Sequence, residues 1–363
     1  MKICYLSDAS SIHTKKMCYF FKEKGYDISV ISLNDGEIDG VKVYSMGMDI
    51  KNQGSFISKV GYLKYVMKMK NIVKEVNPDI LHAHYASSYG LIGSFINYKK
   101  YILSVWGSDV YDFPRKSFVH KNILKYNLSK ADILLSTSKA MVKETRKYTD
   151  KEIYITPFGV DVNKFKPNEI GYSNNGELII GTIKTLEEKY GIEYLIRAFH
   201  LVKKNNGNLN VKLKIAGKGS KEKELKMLCK ELSIEDYVEF LGFISQDEVV
   251  EVLNSFDIAV FPSILDSESF GVAAVEAEAC GVPVIVSDVE GLMESTKPEY
   301  SSLVFRKKDT KDLVEKIERL LLDDELRINM KKNARRYVEE NYNYIDNFNY
   351  INDIYLDLLI NKS

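Results

Sequence analysis

At 363 residues the chain is long for one hydrophobic core, which sets an expectation of two domains. Its 45% hydrophobic and 28% charged residues describe a globular rather than a disordered protein. The 51 basic residues balance 51 acidic ones, and with no recognisable nucleic-acid-binding motif this argues against a nucleic-acid partner.

The balance is uneven along the chain. Residues 1–166 hold 26 Lys and Arg against 16 Asp and Glu, a net +10, and the remainder 25 against 35, a net −10. A basic first half suits an anionic partner, or the two halves simply attract each other. Cys4, Cys18, Cys229 and Cys280 are scattered without a Cys-x-x-Cys pair, as expected of reduced thiols in a cytoplasmic protein. No apolar run approaches the ~18 residues of a membrane span. The opening MKICYLSDAS reads as a first strand rather than a signal peptide.

Strand-like runs then alternate with helical patterns. KICYLS, DISVISL, DILHAH, YILSVW, DILLST and EIYITP read as strands. HTKKMCYFFKEKG, ISKVGYLKYVMKMKNIVKEV, SSYGLIGSFIN, FVHKNILKYNLSK and KAMVKETRKY read as helices. Such alternation predicts a parallel sheet covered on both faces. PFGVDVNKFKPNEIGYSNNGE, rich in Gly, Pro and Asn and without periodicity, reads as a linker. The pattern restarts with LIIGTI, VKLKIAG, VEFLGF, DIAVFPS, VPVIVSD and SSLVF, and from about Leu313 the chain reads as helix to its end. The fold class is therefore α/β, with two wound domains, 1–165 and 166–345, and a last helix over 346–363. Two such domains side by side leave a cleft, and ligands of open sheets sit beyond the carboxyl ends of the strands.

The stretch SESFGVAAVEAEACGVPVIVSD places two carboxylates around an otherwise apolar segment. Glu268 falls in the loop after the strand DIAVFPS, and FGVAAVEAEACG reads as a helix ending at Gly281. Gly271 opens that helix, where free N–H groups and the helix dipole form an anion site. Glu276 lies about one and a half turns into it. A carboxylate accepts two hydrogen bonds side by side, which suits adjacent hydroxyls of a ribose or a sugar. The competing reading is that Glu276 or Glu278 pairs with a basic residue in a structural network.

The run E-S-F-G-x-x-x-x-E-A-x-A-x-G-x-P-V-I resembles the E-x7-E signature of the retaining glycosyltransferases of family 4, which have the GT-B fold. GTIKTLEEKYGIEYLIRAF, KIAGKGSKEKELK, VEFLGFISQDEVV and ITPFGVDVNKF are similar to further family segments, so that the resemblance covers nearly the whole chain. It implies two Rossmann-like domains facing a central cleft, with the final helix crossing back to the first. It implies that Glu268 contacts donor-sugar hydroxyls, that the backbone at Phe270 and Gly271 lies against the sugar and its phosphates, and that Glu276 holds the ribose. Lys189 matches the lysine that binds the donor diphosphate. Thr182 stands where the family has an arginine, and Lys184 is the expected substitute. Gly242 and Phe243 match the turn that meets the base, and Gly217 and Gly219 a glycine-rich turn after a strand.

The first half departs from the family. In many relatives the strand equivalent to YILSVW ends in a histidine followed by Gly and often Asp, whereas here Trp106, Gly107, Ser108 and Asp109 stand there. Trp106 either stacks on a sugar face or belongs to the core. Asp109, counted with the catalytic candidates, either orients an acceptor hydroxyl or caps the next segment. His82 and His84 point to one side of their strand by alternation, and each either lines the cleft or bonds within the fold. His13, in the loop after the first strand, completes the acceptor-side candidates with His84 and Trp106. The helix ISKVGYLKYVMKMKNIVKEV sets Val60, Leu63, Met67 and Val73 among Lys59, Lys64, Lys68, Lys70 and Lys74, either a membrane-surface helix or one packed on the sheet.

The function expected from the resemblance is transfer of a sugar from a nucleotide diphosphate sugar, UDP- or GDP-linked, to an acceptor hydroxyl, with retention. The acceptor would be a saccharide or a lipid-linked one, in cell-surface polysaccharide or glycolipid assembly, with the enzyme cytoplasmic or at the inner membrane face. No metal and no cofactor are expected. A nucleotide-sugar 2-epimerase of the same fold and a non-catalytic nucleotide-sugar-binding subunit are the alternatives.

Overall fold

The computed structural model describes residues 1–47, 56–168 and 176–361. The chain divides into two compact units, Met1–Phe158 with Ile345–Ser363, and Gly159–Tyr344. The division falls at Phe158, ahead of the expected 165, because the residues that follow are bonded into the second unit. Val160 N–H donates to the Tyr342 carbonyl at 2.7 Å. Phe165 is buried in the second core, and the Arg335 guanidinium donates to the carbonyls of Val162, Phe165 and Ala279 at 2.6–2.9 Å. Much of the expected linker is therefore fixed structure; its residues 169–175 lie outside the described ones.

The first unit is built on seven parallel strands: β1 (Lys2–Leu6), β2 (Asp27–Ser32), β3 (Lys42–Ser45), β4 (Ile80–His84), β5 (Tyr101–Val105), β6 (Ile133–Ser136) and β7 (Ile153–Ile155). Their order in the sheet is β3-β2-β1-β4-β5-β6-β7. β4 and β5 are buried at every residue, as strands covered on both faces must be. β3 is an addition to the expected set; its four residues are half-buried at a sheet edge and give too short an apolar run to read.

The helix Phe56–Val76 packs into this core through Val66, Met69 and Val73. Met67, expected on the same apolar face as Val73, points outward at 66% exposure. The side chains of Lys59, Val60, Leu63 and Lys64 lie outside the described residues. The last helix, Tyr344–Asn361, belongs to the first unit. Its Tyr355 hydroxyl lies 2.6 Å from His82 Nδ1, deep in the core.

The second unit has six parallel strands: β8 (Leu178–Ile183), β9 (Val211–Ala216), β10 (Val238–Gly242), β11 (Ile258–Phe261), β12 (Val284–Ser287) and β13 (Ser302–Phe305). Their order is β10-β9-β8-β11-β12-β13. In both units the order reverses beside the first strand, the arrangement that opens a crevice at the carboxyl ends of the strands. Among the described residues no helix is long and apolar enough to cross a membrane.

Candidate active site

The chemistry-bearing residues of the second unit gather on the loops after β8, β9, β10 and β11. Lys184 follows β8 directly, and its N–H donates to the Ala216 carbonyl at 3.0 Å. The glycine turn after β9 passes so close that a Cβ at Gly217 (φ 131°) would come within 1.9 Å of the Lys184 carbonyl. Only glycine fits there. The Gly217 N–H also donates to the Gly242 carbonyl at 2.7 Å, which joins the β10 turn to the same group. The short turn Glu188–Tyr190 is tied to the loop after β11 by the Ile264 N–H, which donates to the Lys189 carbonyl at 2.8 Å.

This scaffold brings three of the expected residues together. Lys184 Nζ lies 2.9 Å from Glu268 Oε1, with both side chains only about a tenth exposed. Lys184 Nζ sits 4.9 Å and Lys189 Nζ 4.7 Å from the centre of the Tyr190 ring. Tyr190, which carried no signal in the sequence beyond its place before Gly191, is thus the surface on which both lysines are set. Its hydroxyl is held above the usual tyrosine range, by burial first and by Glu268 and Glu187, with Lys184 opposing. Lys184 and Lys189 thus bring two ammonium groups to this corner, with Glu268 and Glu187 as the nearby carboxylates.

The helix Val272–Ala279 begins at Gly271, whose φ of 69° and lack of a Cβ let it pack on Leu292. Phe270 is buried, edge-on to Tyr342 with ring centres 5.3 Å apart, so its ring is a core side chain. Glu276 is half-buried on the helix. Phe243 is 74% exposed, available to a flat partner. Thr182 is fully buried inside β8. Glu278 proves to be a core residue: fully buried, it accepts a 2.6 Å hydrogen bond from the Ser301 hydroxyl. Burial holds its carboxyl well above the usual range, so it is neutral, and the basic partner considered for it does not exist among the described residues.

In the first unit, a cavity of about 260 Å³ is lined by His13, His84, Trp106, Phe158, Tyr85 and Asp8, among others. Trp106 stacks on His84 at 4.3 Å, and His13 lies flat on Phe158 at 3.8 Å. The indole thus belongs to the wall of a cavity rather than to the core proper. His82 and His84 do share a side, with ring centres 4.6 Å apart, but they differ in kind. His82 is saturated by Tyr355 and by Ser104 Oγ at 2.7 Å. His84 bonds Ser7 Oγ through Nδ1 at 2.8 Å, while its buried Nε2 has no protein partner. Burial lowers both imidazoles, and with Lys16 it pushes His13 down to about 4, so all three are neutral near pH 7.

Asp109 is held by the backbone around it. It is 1% exposed, and its carboxylate accepts from the N–H groups of Ala86 (2.7 Å), Gly107 (2.8 Å) and Trp106 (3.2 Å). Both of its oxygens are so engaged within the fold. It pins two unusual backbones at the ends of β4 and β5, Tyr85 at φ 71° and Gly107 at φ 134°.

Comparison with known proteins identifies the family. Residues 165–337 match the family described as glycosyl transferases group 1, and residues 2–138 match the glycosyl transferase 4-like family. The chain belongs to the GT-B glycosyltransferases of the family 4 type. It is 27% identical to the N-acetyl-alpha-D-glucosaminyl L-malate synthase of Bacillus anthracis, over 82% of this chain and 79% of that one. Its fold is similar to that of the sucrose-phosphate synthase of Thermosynechococcus elongatus, with a TM-score of 0.87 at 19% identity over 99% of each chain. It is also similar to Anabaena Alr3699/HepE in complex with UDP, with a TM-score of 0.80 at 19% identity over 98% of this chain and 99% of that one.

Proposed function

We propose that this glycosyltransferase is a retaining one that takes its sugar from a nucleotide diphosphate sugar, UDP-linked before GDP-linked, and passes it to a hydroxyl of a saccharide or lipid-linked acceptor in surface polysaccharide or glycolipid assembly. The observation that carries the reading is the cluster of Lys184, Lys189 and Glu268 around Tyr190. Departure of a nucleoside diphosphate develops negative charge on its distal phosphate, and fixed ammonium groups stabilise that charge as it forms. Lys184 and Lys189 fill this role, helped by the N–H groups of the helix that begins after Gly271. Glu268 sets Lys184 and turns its remaining acceptor capacity to donor-sugar hydroxyls. Glu276 takes the ribose, and the Gly242–Phe243 turn the base.

On this reading the acceptor hydroxyl enters on the face the diphosphate leaves. The departing phosphate takes its proton, so retention needs no carboxylate nucleophile and no protein base. The engagement of Asp109 by three N–H groups supports that economy. The two lysines supply the charge that a metal ion would otherwise bring, and activity is expected to survive EDTA. The complex of Alr3699/HepE with UDP supports the choice of base, and the name of the malate synthase from B. anthracis supports a hydroxyl acceptor.

The test is to incubate the protein with UDP- and GDP-sugars, with and without saccharide acceptors, and to follow nucleotide release and the anomeric configuration of the product. Acceptor-dependent release with an axial donor linkage kept axial supports the reading. Inversion overturns retention, acceptor-independent release of free nucleotide favours the epimerase, and donor binding without turnover favours a binding subunit.

A further inference from the structure

Tyr190 is only partly buried against the core of the second unit, and two cations lie over its ring. The ammonium groups are those of Lys184 at 4.9 Å and Lys189 at 4.7 Å from the ring centre. The two lysines are otherwise held differently. Lys184 is paired with Glu268 at 2.9 Å and lies 6.0 Å from the centre of the Phe261 ring. Lys189 makes no ion pair among the described residues. Glu187, just before the same turn, accepts instead from the Ser220 N–H at 2.8 Å and from the Ser220 hydroxyl. The turn itself is fixed. Gly191 follows Tyr190 at a φ of 62°, so close to the loop after β11 that a Cβ there would come within 2.2 Å of the Pro262 carbonyl oxygen. The bond from the Ile264 N–H to the Lys189 carbonyl closes the same seam.

We propose that Tyr190 is a positioning residue whose ring holds the Lys184 and Lys189 ammonium groups ready for a diphosphate, and so lets the site tell a nucleoside diphosphate from a monophosphate. The proposal rests on the donor reading above and adds to it the source of this discrimination. A lysine ammonium is a point charge on a flexible four-carbon stem, and two of them repel when no anion lies between them. A second carboxylate would hold them but would cancel the charge the ligand needs. The face of an aromatic ring attracts both cations and adds no negative charge. Cations fixed in advance need no rearrangement when phosphate arrives. A diphosphate offers each ammonium group a phosphoryl group of its own, and a monophosphate leaves one of them unanswered. The ring does this without the hydroxyl, so phenylalanine would serve as well.

Calorimetric titration with UDP and UMP tests it, with GDP and GMP as the second pair. Tyr190→Leu is expected to weaken diphosphate binding about tenfold and monophosphate binding less than about twofold, while Tyr190→Phe keeps both. Tyr190→Met, which fills similar space without a ring, is the second ringless variant and should behave as Tyr190→Leu does. Lys189→Met should also weaken the diphosphate, and Tyr190→Leu should cost less in that background than in the wild type, because the ring acts through the lysine. Equal loss of diphosphate and monophosphate in the folded ringless variants would overturn the proposal, since the ring would then only support the fold. Loss in Tyr190→Phe would shift the role to the hydroxyl, and full additivity with Lys189→Met would separate the ring from the lysine; either overturns it as well. A wild type that binds neither UDP nor GDP would overturn the donor reading and this proposal together, whereas failure of the proposal alone leaves wild-type binding in place.

Discussion

Lys184 carries its charge where a charge is costly unless paired. Glu268 at 2.9 Å makes the pair tolerable, with both groups nearly closed to water. Removing one partner from such a pair typically costs about 3 kcal/mol, because the other is left uncompensated. Lys184→Met is therefore expected to lower the stability measured by urea unfolding by about that much, and the double variant Lys184→Met/Glu268→Gln to recover a good part of it. Full additivity of the two single losses would mean that the pair is not coupled. Asp109 makes a second prediction at this scale. Asp109→Asn keeps one acceptor but turns an amide toward backbone N–H groups, at a cost of about 2 kcal/mol in the same measurement. If Asp109 were instead a free catalytic acid, its stability would hardly change and only turnover would fall.

Among the elements, the helix Val272–Ala279 has the clearest pH signature. Glu278 within it is neutral because burial holds its carboxyl well above the usual range. The folded protein thus keeps a proton there that the unfolded chain releases once pH exceeds the ordinary carboxylate range. That contribution to stability is whole below the ordinary range and is lost as pH rises toward the folded value. Glu278→Gln, which keeps the shape and cannot ionise, should melt above the wild type at about pH 8 and beside it at about pH 4. A pH-independent difference would contradict this account of Glu278. The glycine turn after β9 makes the other prediction here: Gly217→Ala drives a Cβ into the Lys184 carbonyl and should weaken donor affinity through displacement of Lys184.

Much of this scale was readable from the sequence. Phe118–Lys130 is bounded as the pattern implied, and twelve strands were marked by short apolar runs, most of them buried. What escaped had weak local signals: β3 is short and half-exposed, and the anchoring of Val162 and Phe165 by Arg335 spans some 170 residues. At the site, Glu268 and Glu276 were singled out by two carboxylates around an apolar segment, and Lys184 and Lys189 only by the family resemblance. The roles of Asp109 and Glu278 were not legible, since hydrogen-bond saturation and burial depend on partners remote in sequence.

At the scale of the molecule, the chain ends by returning to the unit it began with. Tyr355 on the last helix ties to His82 on β4 and meets the Tyr5 hydroxyl at 3.4 Å, all in one buried network. Tyr355→Phe leaves a buried imidazole nitrogen unpaired and should destabilise the fold by about 1–3 kcal/mol.

The claim that the second unit holds a nucleotide diphosphate sugar is tested most directly by melting the protein with UDP-, GDP-, ADP- and CMP-sugars, wild type beside Glu276→Ala. A ligand that binds only the folded state raises the melting temperature by mass action. The account predicts that a UDP-sugar stabilises the wild type and that Glu276→Ala, itself folded, loses most of that shift. A full shift retained by the variant would contradict the ribose role of Glu276, and no shift of the wild type with any of the four donors would contradict the donor site itself.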